Sequence, residues 1–542
     1  MRVREGGAVA APTRRVRGVS RVPIAGKVSV NQTTKSPRLR IAVALVACAL
    51  LPWPALAQQT IAVLTGTVTD AATKKPLADV VVTATSPSLQ GEQVAVTDAS
   101  GLYRVPQLPP GMYTLRFETD HFRPYSRSAI ELRSGQTVRL NAELLPEAIQ
   151  GEEIVVVGRA PTVDVGSSRT GVSVGQDFVR NLALSRPGGK GSAARSFESL
   201  AEVAPNANVD AFGVSVNGAT SPENAFLVDG LSAGSPALGI LGTPLTQEFI
   251  QEVSVITGGY MPEYGRSTGG ILSAVTKTGS NEFHGSVFGN LTPGLFEGTR
   301  AGVTTLGSVI TLKDKLWNLG DFGGEVGGPI LKDRLWFYAG LAPSFTRRQL
   351  ERQFNFIENG EYKPIADTTR DFFADQRSVQ YIGKLTYLIN ADHHLTLALY
   401  GAPNWSGGNG HFAYTLDEGF VEVNNPNGQQ GLNGQFGALA HINSQDARDL
   451  SLKLNSSFLD KRVLLDVNLG WHHQTNSSLP SDGTALGTGS GLAGTPQFTL
   501  RRTTPGFRSL NDFETLPDPS ICDPAGTTNA TRCPVSSYLL GG

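Results

Sequence analysis

The chain has 542 residues, with 46 Lys and Arg against 47 Asp and Glu, and a formal net charge of −1. That balance leaves no field to gather a polyanion and argues against a nucleic-acid partner. Sixty-two glycines, charge at only 17% and apolar residues that alternate instead of clustering describe a turn-rich β chain. They exclude a bundle of membrane helices, since no second apolar run of about 18 residues follows the N-terminus.

The one continuous apolar run, Ile41 to Leu51, follows Arg38 and Arg40 and precedes Ala55-Leu56-Ala57. A basic n-region, a short apolar stretch and small residues at the end make a secretory signal, cut after Ala57. Pro52 and Pro54 stop the run too early for a spanning helix. The basic stretch before it reads as an extended n-region or a start codon placed too early, and residues 1–57 are assigned to this leader. Export leaves Cys522 and Cys533 in a Pro/Gly/Asn-rich loop. An oxidising compartment favours a disulfide between them over a metal site, for which no histidine lies in that loop.

From Ile61 to Leu144 short alternating runs are separated by turn signals, which predicts a small β-sandwich over residues 60–146. Tyr103, Tyr113 and Phe117 fall at strand positions where an inward ring fills a two-sheet core. Gly66-Thr67-Val68-Thr69-Asp70, Pro76-Leu77, Thr97 to Tyr103 and Leu108 to Tyr113 together resemble the carboxypeptidase regulatory-like domain. That resemblance implies a transthyretin-like fold, grouped with carbohydrate-binding-like folds, although no aromatic binding platform stands out.

A linker, residues 147–169, carries Glu152-Glu153-Ile154-Val155-Val156-Val157-Gly158. A short β-prone segment flanked by acids can add as a strand to another protein's sheet edge; alternatively it is the last strand of the sandwich before it. Residues 170–279 then give mixed α/β signals. Helical stretches are expected over Gln176 to Leu184 and Ala193 to Val203, and strands in FGVSVNG, NAFLVDGL and VSVITG.

The most informative run is 247–288, where strand-like segments alternate with paired glycines before an aromatic-flanked alternating stretch. Its Gly-Tyr-Met-Pro-Glu-Tyr-Gly-Arg-Ser-Thr-Gly-Gly core resembles the end of the plug domain of TonB-dependent outer-membrane receptors, in their Oar-like branch. The resemblance implies that 152–158 is a TonB box and 170–279 a plug inside a barrel lumen. By it, Gly258, Gly259, Gly265, Gly269 and Gly270 allow tight turns and close approach between plug and wall, and Glu263 and Arg266 are candidates for plug-to-wall ion pairs.

From residue 280 onward the signal is periodicity. Leu450, Leu452 and Leu454 alternate with Ser451, Lys453 and Asn455; beyond a turn the apolar set resumes at Val463, Leu465, Val467, Leu469 and Trp471. Leu385, Tyr387, Leu395, Leu397 and Leu399 form a second such pair against Lys384, Thr386 and Thr396. Two-faced strands of about ten residues joined by tight turns are hairpins of a transmembrane barrel, with lipid outside and a wet lumen inside. Trp336, Phe337 and Tyr338 are expected at an interface girdle. The resemblance implies a barrel of about 22 strands, and the 261 residues from 282 to 542 are about half of what that needs, so the chain reads as a fragment holding the N-terminal part of one.

Three Gly-x-Ser-x-Gly matches, at 171–175, 230–234 and 265–269, lack the strand-to-helix elbow of a hydrolase nucleophile and follow from glycine abundance. A Gly-x-Gly-x-x-Gly string at 489–494 lies in a loop with no helix after it. No His-x-x-Glu or His-Glu-x-x-His occurs, and the His393-His394 and His472-His473 pairs point to opposite strand faces, so neither an enzyme nor a cofactor is expected.

The expected fold is therefore mainly β: transthyretin-like sandwich, α/β plug, then partial antiparallel transmembrane barrel. The resemblance implies energised uptake of an unidentified extracellular substrate across the bacterial outer membrane. The partners it implies are the TonB-ExbB-ExbD complex and outer-membrane lipid, with the N-terminal domains in the periplasm. The rival functions are an outer-membrane adhesion or secretion-associated surface protein and a soluble carbohydrate-binding-like module.

Overall fold

The structure, a computed structural model, describes residues 61–146, 154–157, 168–181, 195–210, 212–260, 264, 265, 267–298, 310–358, 361–364, 366, 369–415, 421, 436–459, 461–501 and 537–540. Ala57, Glu152, Glu153, Gly158, Glu263, Arg266, Cys522 and Cys533 lie outside these residues.

A period of two sends alternate side chains to opposite faces, and β1 (Ala62–Asp70) shows it from end to end, burying Leu64, Gly66 and Val68 and leaving Val63, Thr65, Thr67 and Thr69 half-exposed. With β2 (Val81–Thr85), β3 (Gln93–Val96), β4 (Leu102–Leu108), β5 (Gly111–Glu118), β6 (Tyr125–Leu132), β7 (Thr137–Arg139) and β8 (Ala142–Leu144) it builds the sandwich. One sheet has the order β4-β1-β7 with β8 also on β1; the other runs β3-β2-β5-β6. Tyr103, Tyr113 and Phe117 are buried between the sheets. Both tyrosine hydroxyls donate to carbonyls, Leu140 O at 2.7 Å and Pro109 O at 2.8 Å, so the rings bring no unsatisfied group into the core. Asp98 closes the turn before β4 by accepting from Ser100 N, Ser100 Oγ and Leu102 N around Gly101 at φ 72°.

The second sheet has a fifth strand. β9 (Ile154–Val157) lies parallel to β6, with Tyr125, Ser126, Arg127 and Ser128 opposite Ile154, Val155, Val156 and Val157. Of the two readings of this segment, the pairing is that of a last strand on the sandwich edge. Its β-prone backbone meets an open ladder with nine residues, 145–153, between it and the end of β8.

The plug is built on β10 (Thr170–Gly175), β13 (Ala225–Val228), β14 (Leu231–Ser232), β15 (Ile250–Gly258) and β16 (Ile271–Thr276), in the order β10-β15-β16-β13-β14. β11 (Ala207–Asp210) and β12 (Gly213–Val216) form a separate hairpin. The first expected helix is described as α1 (Gln176–Asn181), and the second forms a 3-10 turn over Phe197–Val203 capped by Ser196. The turn stays tight because its residues Phe197, Leu200 and Ala201 are drawn under the sheet into the plug core.

The wall is antiparallel: β17 (His284–Pro293), β18 (Ile310–Leu331), β19 (Leu335–Glu358), β20 (Glu361–Pro364), β21 (Arg370–Asn390), β22 (His393–Gly401), β23 (Asn404–Gly407), β24 (His441–Phe458) and β25 (Val463–Pro480). Its order is β17-β18-β19-β21-β22-β24-β25, with β20 on β19 and β23 bridging β21 and β24. Polarity is inverted relative to a soluble core. Leu399, Leu469 and Trp471 are 45%, 61% and 54% exposed, whereas Lys384 and Ser451 are 7% and 5% exposed. Apolar side chains point away from the protein and polar ones toward it, the arrangement of a membrane barrel.

Two expectations on the wall are corrected. The strands are longer than about ten residues: β19 has 24 and both β24 and β25 have 18, because ladder pairing continues past the lipid-facing stretch. Trp336 and Tyr338 do not belong to an interface girdle. Alternation turns both inward, fully buried, with Trp336 Nε1 donating to Asn281 Oδ1 at 2.8 Å, and only Phe337 faces the other side.

Candidate functional site

Inward-facing strand positions make a polar wall, and the plug meets it with complementary charge. Lys384 of β21 reaches Asp229 Oδ2 at 2.8 Å and Thr276 O at 3.3 Å. Asp229 also accepts from Thr276 N at 2.9 Å and Thr276 Oγ1 at 2.6 Å, in the turn that joins β13 to β14. On the other flank Lys277 pairs with Glu325 of β18 at 2.5 Å, and Glu325 further accepts from Ser286 Oγ and Tyr338 Oη. Arg195 bridges Glu248 of the plug, at 3.0 Å, to Asp321 of the wall, at 3.1 Å. A fourth contact is uncharged on the plug side: Thr243 Oγ1 donates to Asp449 Oδ2 at 2.5 Å, while Asp449 Oδ1 meets His472 Nδ1 at 2.7 Å.

Buried pairs of this kind hold register more than they add stability, because desolvation offsets most of the attraction. Burial pushes the Asp229 carboxyl up, but the Lys384 ammonium and the Thr276 donors outweigh it and hold the group below the usual carboxylate range. A depressed carboxyl contributes stability above its unfolded pKa and loses it as pH falls through the folded one. The contribution of the Asp229–Lys384 pair to plug attachment is therefore expected to be flat between about pH 5 and 8 and to weaken only in stronger acid, as measured by the difference in plug proteolysis between the parent and Asp229→Asn in isolated membranes.

Apolar packing completes the seat. Plug residues Phe226, Leu245 and Phe249 share one core with Tyr338, Ala342, Ile382 and Tyr400 of the wall. Gly340 admits the Phe249 ring, which a β-carbon there would meet at 2.5 Å.

The sandwich closes the end of the wall that carries the short turns. Gln90 Nε2 donates to Thr278 Oγ1 at 2.8 Å, Lys461 Nζ to Val94 O at 2.6 Å and Gln107 Nε2 to Asp466 Oδ1 at 3.2 Å. Ser134 N donates to both carboxylate oxygens of Glu252 in the plug at 3.2 Å, and burial pushes that carboxyl up despite the donors. A cavity of about 130 Å³ remains at this junction, lined by Gln90 and Gln107 of the sandwich, Asp229 and Thr276 of the plug, and Lys384 and Lys453 of the wall.

The sequence-derived site residues divide sharply. Ile154 to Val157 pair with β6. Gly258, Gly269 and Gly270 approach other plug residues, and Gly259 the end of the linker, instead of the wall: added β-carbons would meet Thr170 Oγ1, Asn224 Oδ1, the Val216 side chain and Ser168 O respectively. Only Gly259, at φ 66°, needs the left-handed region. Gly265 lies in the same loop. The plug folds back on itself here because Asn224 bridges β12 and the Gly269-Gly270 turn, with Nδ2 on Val214 O and Oδ1 on Gly270 N. Asp229, Lys277, Arg195, Glu325 and Asp321 escape the sequence reading. Their signal is the lumen parity of Lys384 and Glu325, which leaves each a buried charge in want of a counter-ion.

Ser173, Ser232 and Ser267 of the three Gly-x-Ser-x-Gly matches sit in β10, in β14 and in a plug loop. Ser173 Oγ meets Ser254 Oγ at 2.9 Å, and Ser267 Oγ donates to backbone carbonyls.

Residues 63–145 match the carboxypeptidase regulatory-like domain and residues 275–356 the outer membrane beta barrel domain. The chain is 53% identical, over 88% of its length, to the TonB-dependent transporter Oar of Myxococcus xanthus, and spans 45% of that relative. It thus covers about half the length of the curated relative it matches. Among solved structures it is similar to the outer membrane transporter YddB from Escherichia coli: 15% identity, 57% of this chain and 39% of that one, TM-score 0.38. It is also similar to the alcaligin outer membrane receptor FauA from Bordetella pertussis: 12% identity, 59% and 50%, TM-score 0.30. The curated relative is a transporter, which points to a role other than catalysis.

Proposed function

We propose, on the premise that this chain is an Oar-type TonB-dependent transporter sequence over the span it shares with its relative, that the whole receptor performs energised uptake of an extracellular substrate through a plugged barrel. Its location is the bacterial outer membrane, in keeping with the matched barrel domain and relative. The sandwich, on the side of the short turns, faces the periplasm. TonB, driven by ExbB and ExbD, takes residues 152–158 as an added strand and pulls, and the force remodels the plug. Outer-membrane lipid covers the apolar outer face.

The observation that carries this reading is the set of buried plug-to-wall contacts inside a wall of inverted polarity. A plug seated by paired charges and apolar packing, in a chain continuous with the wall, can be released and reseated. Domain limits at 60–146, 147–169, 170–279 and 280–542, signal cleavage after Ala57 and a Cys522–Cys533 disulfide complete the proposal. The chain itself supplies no catalysis in it.

Uptake can be tested while the substrate is still unidentified. Cells carrying the full-length receptor, with and without residues 152–158, are grown in rich medium, and the spent medium is compared by untargeted mass spectrometry. At least one compound is expected to be depleted by the intact receptor only, with equal surface display of both forms. Equal depletion profiles would favour an adhesion or secretion role.

A further inference from the structure

The pairing of β9 with β6 gives the box-like segment two acceptors. We propose that the β6 edge of the periplasmic sandwich is a strand-acceptor surface for residues 154–157, and that it competes with TonB for them. The inference rests on the coupling role proposed above and adds that the box is sequestered until displaced.

Three observations carry it. The pairing is in register and parallel over four residue pairs, Tyr125 with Ile154 through Ser128 with Val157. It occupies one edge of the segment with main-chain hydrogen bonds to β6, so a partner that adds along that same edge must first displace β6. The acceptor edge is also limited by its own geometry. Ala129 has φ 60°, and the register between β5 and β6 shifts between Tyr113 and Leu115, so β6 is bulged immediately after Ser128. The ladder stops there, which keeps the docked strand short and reversible.

The tether favours the internal acceptor. Seven residues, 147–153, separate Pro146 from Ile154, a length for which the effective concentration of the strand at β6 is in the millimolar range. TonB then meets a box that is free for only a fraction of the time, and its apparent affinity falls by that fraction. The sandwich is itself held to the plug through Ser134 and Glu252 and to the wall through Val94 and Lys461. The box is accordingly docked on a seated domain.

The test is a reversible lock. Partner residues on neighbouring strands stand about 4.8 Å apart, within the Cα separation a disulfide tolerates. Ser128→Cys with Val157→Cys is introduced into the full-length receptor, with the other cysteines of the mature chain replaced by serine and each single cysteine as a control. The probe is the purified C-terminal domain of TonB, added to receptor in isolated outer membranes. The double variant is expected to cross-link under mild oxidation, and oxidised receptor to bind the probe at least tenfold more weakly than the same sample after reduction. Excess probe added first is expected to slow cross-linking.

Failure of the pair to cross-link, or equal binding by oxidised and reduced receptor, would overturn the competition while leaving the coupling role intact. If the parent and the reduced variant both fail to bind the probe, the coupling role falls and the competition with it.

Discussion

Replacing Asp229 with alanine in the full-length receptor is expected to speed amide hydrogen exchange in β13 and β16 by roughly a hundredfold or more, the equivalent of about 3–5 kcal/mol. The size follows from what is left behind. Lys384 is 7% exposed, and its ammonium has Asp229 and one carbonyl, Thr276 O, as its partners at the plug. The substitution also strands Thr276 N and Thr276 Oγ1, both of which donate to the lost carboxylate. Asp229→Ala combined with Lys384→Met removes the uncompensated charge and keeps the methylene stem, so the double variant is expected to exchange more slowly than Asp229→Ala alone. Sensitivity of cells to a large polar antibiotic should follow the same order. Unchanged exchange in the single variant would mean that the plug is held elsewhere, through Lys277 and Arg195.

Gly66→Ala should destabilise the sandwich by about 3 kcal/mol or more, against the usual small gain from replacing glycine with alanine. The added methyl would stand 1.8 Å from Leu140 O, 2.6 Å from Leu140 C and 2.8 Å from Tyr103 Cε1. Two of those atoms are backbone, and Leu140 N is bonded to Thr65 O at 2.8 Å, so the strands cannot part locally without breaking the ladder. Limited proteolysis of receptor in membranes should clip residues 61–146 early in this variant while the wall stays intact. Gly383→Ala, where a β-carbon meets nothing within 4 Å, is the silent control. Resistance of Gly66→Ala equal to that of the parent would show that β1 can shift past Leu140.

How far the residues alone lead can be judged element by element. Alternation around Leu450 and Leu465 yields the hairpins and which face is apolar, because strand parity is a property of the backbone. The same parity governs Trp336-Phe337-Tyr338 and prevails there over the preference of aromatic rings for a membrane interface; two of the three rings face inward. The box-like segment is legible as a strand, and its partner is not, since sheet edges are matched by chain path and proximity. The glycines around 258–270 are legible as positions of close approach. What approaches them, however, is Asn224 and Val216 of the plug itself and Ser168 at the end of the linker, brought there by folding over intervals that sequence spacing does not reveal.

Composition and local order settled the β character of this chain: a two-sheet domain, a small mixed domain and a two-faced wall, in that sequence. Those features rest on short-range rules of periodicity, turn chemistry and alternation, each written within about ten residues. Tertiary structure decided which charges meet. Asp229 and Lys384 are separated by 155 positions (384 less 229), far beyond the reach of any local pattern, and only the burial of both in one lumen makes each the other's counter-ion. A charge is free to stand alone in water and is not in a buried seam, so pairing is dictated by where the folded chain excludes solvent.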